Sequence, residues 1–313
     1  MAGESRTPAR PISTRSWRCE RGQAIVLVAV GLFALCALAG FAIDVGLLYQ
    51  THRKQQAIAD AAALAGAYDL PANTSQATSD AQSNAATNGG SASVSFSTQY
   101  LPNDTITVNA TTKTQVQFLK LFGYDKVNVG AKAVAQAEAL ATASGGAAPF
   151  GVVNTQPELS GPGCPCFGTA TTLTLGKVGP GGFGIINIDG SSGGTSPGTL
   201  AAWIQNGCSC ATAAPVWLYS DPGAKMNSSQ VKSAMNAMLG KNLLFPVYDQ
   251  TSGNGAGLQY HVIGFAAFKI SAYNFQGSKN DWIQGSFQKV DWTGFGTTDT
   301  SKYFGATTTR LIG

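Results

Sequence analysis

Only two histidines, His52 and His261, occur in the 313 residues, and beyond residue 54 only two glutamates, Glu138 and Glu158. So few proton carriers exclude a histidine-rich metal centre and leave little material for acid–base catalysis. Charged residues of all kinds reach 12%. Residues 1–54 hold seven Lys/Arg against three Asp/Glu, which accounts for the whole net charge of +4, so the remaining thirteen of each sign cancel. A neutral body has no electrostatic footprint for nucleic acid, whose binding is dominated by phosphate neutralisation. No repeat period is detectable.

Charge is also missing from residues 24–43. At 1.5 Å per residue this stretch spans about 30 Å, the thickness of a bilayer's hydrocarbon core. In lipid the backbone must satisfy its own hydrogen bonds, so a transmembrane helix is expected over residues 24–49. Arg6, Arg10, Arg15, Arg18 and Arg21 precede it, against Glu4 and Glu20, while His52, Arg53 and Lys54 come after it and before Asp60. The heavier basic flank is retained in the cytoplasm. The expected topology is therefore a cytoplasmic tail over 1–23, a single pass through the cell membrane, and an extracytoplasmic remainder. A cleaved secretory signal is the competing reading, with an apolar core of ~7–15 residues and a small-residue cleavage site. Ala37-Leu38-Ala39 mimics such a site, but cleavage there leaves residues 41–49 as an apolar mature N-terminus.

Proline is absent from the span to Leu70, and the residues after it are strong helix formers, so one helix is expected to about Tyr68, stopped by Pro71. Asp44 lies at the outer boundary of the span, close to Gly46. It is either solvated at the interface or paired with a basic residue of a partner subunit. Ala57, Ala61 and Ala65 recur every four residues, as do Ala62 and Gly66. Such spacing stacks small side chains on one face and admits a close helix, either from another subunit or from the chain's own ectodomain.

The run Glu20-Arg21-Gly22-Gln23, the apolar span, Asp44-Val45-Gly46, Tyr49, Gln55 and the block Ala59-Asp60-Ala61-Ala62-Ala63-Leu64-Ala65-Gly66-Ala67 resemble the N-terminal domain of TadE/TadG-like proteins. These belong to the bacterial Tad (tight adherence, Flp pilus) secretion-assembly system. Residues 118–123 and 127–135 resemble the next segment in that family. Processed pseudopilins carry Glu at the fifth mature position, whereas cleavage after Gly22 puts Leu27 there. The resemblance thus implies an uncleaved TadG-type anchor and not a major pilin.

Residues 71–91 are polar and read as a surface segment or linker; a polar helix over 75–86 is the alternative, but no apolar stripe supports it. Val94 and Phe96 alternate, and a turn at 102–104 leads to Ile106, Val108 and Ala110, a hairpin pattern; residues 127–135 read as another strand. Residues 50–139 are therefore expected to form the extended helix plus a small α+β module. Residues 140–148, LATASGGAA, read as a flexible joint. Beyond Pro149, short apolar runs between Gly/Pro turns argue a β-rich domain over 149–313, with helices at 229–239 and 200–204. The expected class is α+β: a transmembrane helix extending into a long helix, a small α+β module, then the β-rich domain.

Cys164-Pro165-Cys166 and Cys208-Ser209-Cys210 are expected as disulfides in an exported domain. Bridging within one C-x-C closes a very small ring, so the two pairings that tie one loop to the other are favoured. A four-thiolate zinc site is the alternative. Cys19 and Cys36 are expected free.

Three enzyme-like patterns fail on context. Residues 190–194 match G-x-S-x-G around Ser192, but a further turn, not a helix, comes next; a triad would also need His261 with Asp221 or Asp249. Gly179, Gly181 and Gly184 match G-x-G-x-x-G but precede a strand. Ser229 to Lys232 matches S-x-x-K without a later Lys-Thr-Gly. Residues 182–184, 244–249, 253–255 and 260–266 resemble the region downstream of the anchor in many TadG-like proteins, which assigns no chemistry. The resemblance implies a non-enzymatic pilus-assembly or adhesion component without cofactor. Its implied partners are the lipid bilayer, other assembly subunits through the N-terminal helix, and a surface ligand. A pilus-independent adhesin or cell-wall-binding protein and an exported serine hydrolase are the rival readings.

Overall fold

The computed structural model describes residues 21–161, 164–176, 179, 182–221, 225–277 and 280–313. Residues 1–20 of the expected tail, with Cys19, and Gly181 of the G-x-G-x-x-G pattern lie outside the described residues. Helix α1 (Arg21–Ala67) runs 47 residues, uninterrupted by any proline. After it come α2 (Thr74–Thr87), β1 (Ser91–Ser97), β2 (Thr105–Gln115), β3 (Lys126–Ser144), β4 (Phe150–Val153), α3 (Pro157–Ser160), β5 (Ala170–Leu175) and β6 (Gly182–Ile185). The remaining elements are α4 (Pro197–Asn206), β7 (Ala211–Ala213), β8 (Val216–Tyr219), α5 (Ser229–Met238), β9 (Asn242–Ser252), β10 (Gln259–Asn274), β11 (Trp282–Gln288), β12 (Val290–Asp291), β13 (Gly294–Thr297) and β14 (Ala306–Leu311). The chain is α+β and divides into two compact units: residues up to His52 with Lys113–Val129, and Arg53–Thr112 with Gly130–Gly313.

In the first unit, the N-terminal part of α1 meets the loop joining β2 to β3. Among the described residues α1 is the one helix long and apolar enough to cross a membrane. Its large apolar side chains from Ile25 to Ile43 are all more than half exposed, Phe33 by 77%. A core helix of a water-soluble domain would bury them. The loop carries a 3₁₀ turn at Leu119–Phe122, ended by Gly123 at φ +89°. A left-handed residue there favours glycine because no Cβ has to be accommodated.

The second unit contains two sheets. The first has the order β1-β2-β3-β14-β12, with β7 and β13 also on β3. Val94 faces Val108 and Phe96 faces Ile106 across the β1–β2 hairpin, so the alternation read from sequence sets this register. Ile106, Val108 and Ala110 pack with Ile58, Ala59, Ala62, Ala63 and Ala67 of α1. Helix α2 completes this cluster and corrects the expected linker over 71–91. Its Ala77, Ala81 and Ala85 are fully buried at four-residue spacing, and the side chain of Asn73 caps its N-terminus by accepting from Gln76 N at 3.0 Å. The apolar stripe exists, but it is made of methyl groups.

In the second sheet β11-β5-β6-β4-β9-β10 closes on itself, because β10 also pairs with β11; β8 lies on the other half of the same β10 edge. Closure removes free edges among the six ring strands. Phenylalanines on successive strands of the ring touch in series: Phe183 to Phe150 at 5.6 Å, Phe150 to Phe245 at 5.3 Å, Phe245 to Phe268 at 5.0 Å and Phe268 to Phe287 at 4.9 Å. Leu200, Trp203 and Ile204 of α4 and Val231, Ala234, Met235 and Met238 of α5 share this core. Both helices are N-capped by serine, Ser196 and Ser228.

Residues 140–148 are not the flexible joint expected. Strand β3 continues to Ser144, and Leu140, Ala143 and Ala147 form a cluster with Leu244, Phe265 and Ala306. The expected boundary at 149 also gives way, because β14 returns to pair with β3, Thr307 opposite Ala139 and Leu311 opposite Ala135.

Candidate functional site

Asp44 is the residue around which the first unit is organised. Gly40 and Asp44 share one face of α1 four residues apart, and neither is exposed, in contrast to their neighbours. The Asp44 carboxylate accepts three backbone hydrogen bonds from the β2–β3 loop. Gln117 N donates to Oδ1 at 2.8 Å, and Phe118 N and Leu119 N donate to Oδ2 at 2.8 and 2.7 Å. Leu119 opens the 3₁₀ turn and Phe118 caps it, so their N–H groups have no partner within it, and Gln117 comes just before. The Phe118 ring lies on Gly40 so closely that a Cβ there would overlap it. Of the two sequence readings of Asp44, solvated or paired with a basic side chain, neither describes this geometry. Its partners are amides of the same chain more than seventy residues downstream. No sequence period connects the two, although Asp44 and residues 118–123 each stood out separately.

The other helix-packing candidates separate into two rows. Ala62 and Gly66 are buried against α2 and β2; a Cβ on Gly66 would stand 2.8 Å from Ala77 O and 3.1 Å from Ala81 Cβ. Ala57 is exposed and Ala61 and Ala65 are half-buried on the outer row. Gly46 is exposed, with nothing within 4 Å of an added Cβ.

The device at Asp44 recurs at Asp104 in the β1–β2 turn, where Asn103 adopts φ +57°. Asp104 accepts from the backbone N of Gln99, Tyr100 and Leu101 at 2.8–2.9 Å, from the Thr105 hydroxyl at 2.8 Å and from Gln136 Nε2 at 3.2 Å. Burial acts to raise its pKa, but these donors outweigh burial and hold it below the usual carboxylate value. A value lowered on folding means that ionised Asp104 stabilises the fold above about pH 4 and that this contribution fades as pH falls through the folded value. Asp104→Asn is expected to flatten the acid limb of a stability-versus-pH curve and to lower stability at neutral pH, as read by thermal unfolding across the acid range.

The cysteines correct the favoured loop-to-loop pairings. Cys164 bonds Cys166 and Cys208 bonds Cys210, with Cα separations of 4.5 and 5.1 Å. Both lie inside the roughly 4.4–6.8 Å range open to disulfides, so the small ring is geometrically accessible. The pairs are held by different neighbours: Cys166 N donates to Glu158 O of α3 at 2.8 Å, and Cys208 N donates to Ala147 O at 3.4 Å. With all four sulfurs bonded, a thiolate zinc site cannot form there. Cys36 is free and exposed on the apolar span.

Around the G-x-S-x-G match, α4 begins only at Pro197, and the Ser191 hydroxyl donates to Asp189 at 2.7 Å in a local turn. His261 Nδ1 contacts Asp249 Oδ1 at 2.7 Å, and its ring lies 4.9 Å from that of Trp217. Among the described residues no hydrogen bond joins Ser192 to His261. A shallow groove between α4 and α5, lined by Ala201, Gln205, Ser229 and Ser233 among others, carries no titratable group.

The chain thus combines one N-terminal helix long and apolar enough to cross a bilayer with a β-rich body. Residues 22–69 match the Tad family model, described as "Putative Flp pilus-assembly TadE/G-like", a span that coincides with α1 and the turn after it. No curated protein and no solved structure matches the chain.

Proposed function

We propose that this protein is a non-enzymatic, membrane-anchored component of a Tad/Flp pilus system, acting in assembly or surface attachment. The observation that carries the reading is the coincidence of the Tad match with α1 over residues 22–69. The uncharged, exposed part of that helix sits in the cell membrane, its basic N-terminal flank in the cytoplasm, and the second unit outside. Assembly subunits pack against α1 on the outer row of Ala57, Ala61 and Ala65, while Ala62 and Gly66 hold the chain's own α2. The closed ring and the phenylalanine series give the outer part a core suited to presenting a surface. Against a hydrolase stands the context of Ser192: among the described residues no hydrogen bond joins it to His261, and the helix that a nucleophile elbow needs begins only at Pro197.

Truncation after residue 70 in the pilus-bearing cell is expected to abolish piliation or surface adhesion, scored by electron microscopy and attachment assay, while the remaining fragment stays in the membrane fraction. Normal pili and normal attachment in that strain would defeat the assembly role.

A further inference from the structure

Three large apolar side chains at the tip of the β2–β3 loop have no protein cover. Leu121 is 80% exposed, Phe122 77% and Tyr124 62%. Solvent alone does not account for three such side chains within four residues on a loop that is otherwise tightly held. The hold is the Asp44 carboxylate on the amides of residues 117–119, together with the Phe118 ring on Gly40. Gly40 belongs to the charge-free stretch, four residues or about 6 Å along the axis from Asp44 toward its middle. The loop is therefore fastened to α1 at the end of the apolar span, on a stretch of helix where Phe41, Ile43 and Val45 are all about half exposed or more.

We infer that residues 119–124 form a second membrane contact, with Leu121, Phe122 and Tyr124 entering the outer leaflet beside the transmembrane helix. The inference rests on the membrane anchoring proposed for α1. The composition suits the headgroup boundary. Leucine and phenylalanine fill the acyl region, and tyrosine belongs to the interfacial belt. Lys120 and Asp125, an exposed pair at 3.6 Å, and Lys126 remain at headgroup level, where lysine stems reach outward. Asp44 then has a structural purpose at the interface: it neutralises the orphan N–H groups of a turn that water reaches poorly. The occupant is lipid rather than a second copy because the apolar tip follows directly on the segment fastened to Asp44 and Gly40, at the end of a helix whose exposed apolar length matches the bilayer.

The test uses full-length protein with Cys19→Ser and Cys36→Ser, the other four cysteines being bonded, in vesicles of phosphatidylethanolamine and phosphatidylglycerol. A nitroxide is attached at Phe122→Cys and, separately, at Leu121→Cys, Leu32→Cys in the span and Tyr100→Cys in the β1–β2 turn. Collisions with oxygen, which partitions into lipid, are compared with those of a water-soluble nickel chelate. Oxygen is expected to dominate at 121, 122 and 32, and the chelate at 100. Chelate dominance at 121 and 122 with oxygen dominance at 32 would overturn the loop contact and leave the anchor standing. An immobilised label at 121 and 122 that neither reagent reaches would show protein, not lipid, over the tip and would also overturn it. Chelate dominance at 32 would remove the anchor and the loop contact together.

Discussion

Asp44→Ala is expected to release the β2–β3 loop from α1 while leaving the rest of the chain folded. The three amides of Gln117, Phe118 and Leu119 donate to this carboxylate. Removing it takes the acceptor from three donors at once, two of them on the half-buried Phe118 and Leu119, where an unpaired donor costs more than a missing bond. By hydrogen exchange, these amides should fall to the rate of open loop residues, and the loop should become a protease site. Asp44→Asn should behave similarly, because its amide NH₂ turns a donor toward donors. The second unit should be unaffected, since the Asp44 partners all lie in residues 117–119. Unchanged protection at 117–119 in both variants would mean that the loop is held by Phe118 on Gly40 alone.

Phe268→Ala should produce the largest loss of stability in the second unit. The ring is fully buried, stacked on Phe245 at 5.0 Å and 20°, and set edge-on to Phe287 at 4.9 Å and 73°. It is the link between β9, β10 and β11 in the phenylalanine series. Truncating a buried phenylalanine costs about 3–5 kcal/mol through lost burial and a residual cavity. For a unit of this size that corresponds to a fall in Tm of roughly 6–20 °C. Phe295, 75% exposed on β13, supplies the contrast: Phe295→Ala should stay within about 0.5 kcal/mol. Near-ultraviolet circular dichroism melts of both variants would separate them.

Local patterns made the helix, the β1–β2 hairpin and α5 legible in the sequence. Residues 24–67 lack proline and 24–43 lack charge, Val94 and Phe96 alternate, and Val231, Ala234, Met235 and Met238 share one face. Helix α2 was legible only as an alternative, a polar helix over 75–86, because Ala77, Ala81 and Ala85 bury too little apolar surface to stand out against a polar background, yet a close helix pair needs small residues there. Pairings between distant segments were invisible for a different reason. Nothing in the composition of residues 306–311 says that they return to β3, more than 160 residues earlier in the chain, and no spacing links Asp44 to Gln117. The cysteine connectivity arises from local backbone paths that bring each pair within 4.5–5.1 Å, which a ring-size argument underestimated.

Protease treatment of intact spheroplasts tests most directly whether residues 24–43 hold the chain in the membrane with the β-rich unit outside. The expected result is loss of a C-terminal tag and recovery, in the membrane fraction, of a fragment that contains residues 24–43. A chain that stays intact until the cells are lysed, or mature protein released to the medium without those residues, would contradict it.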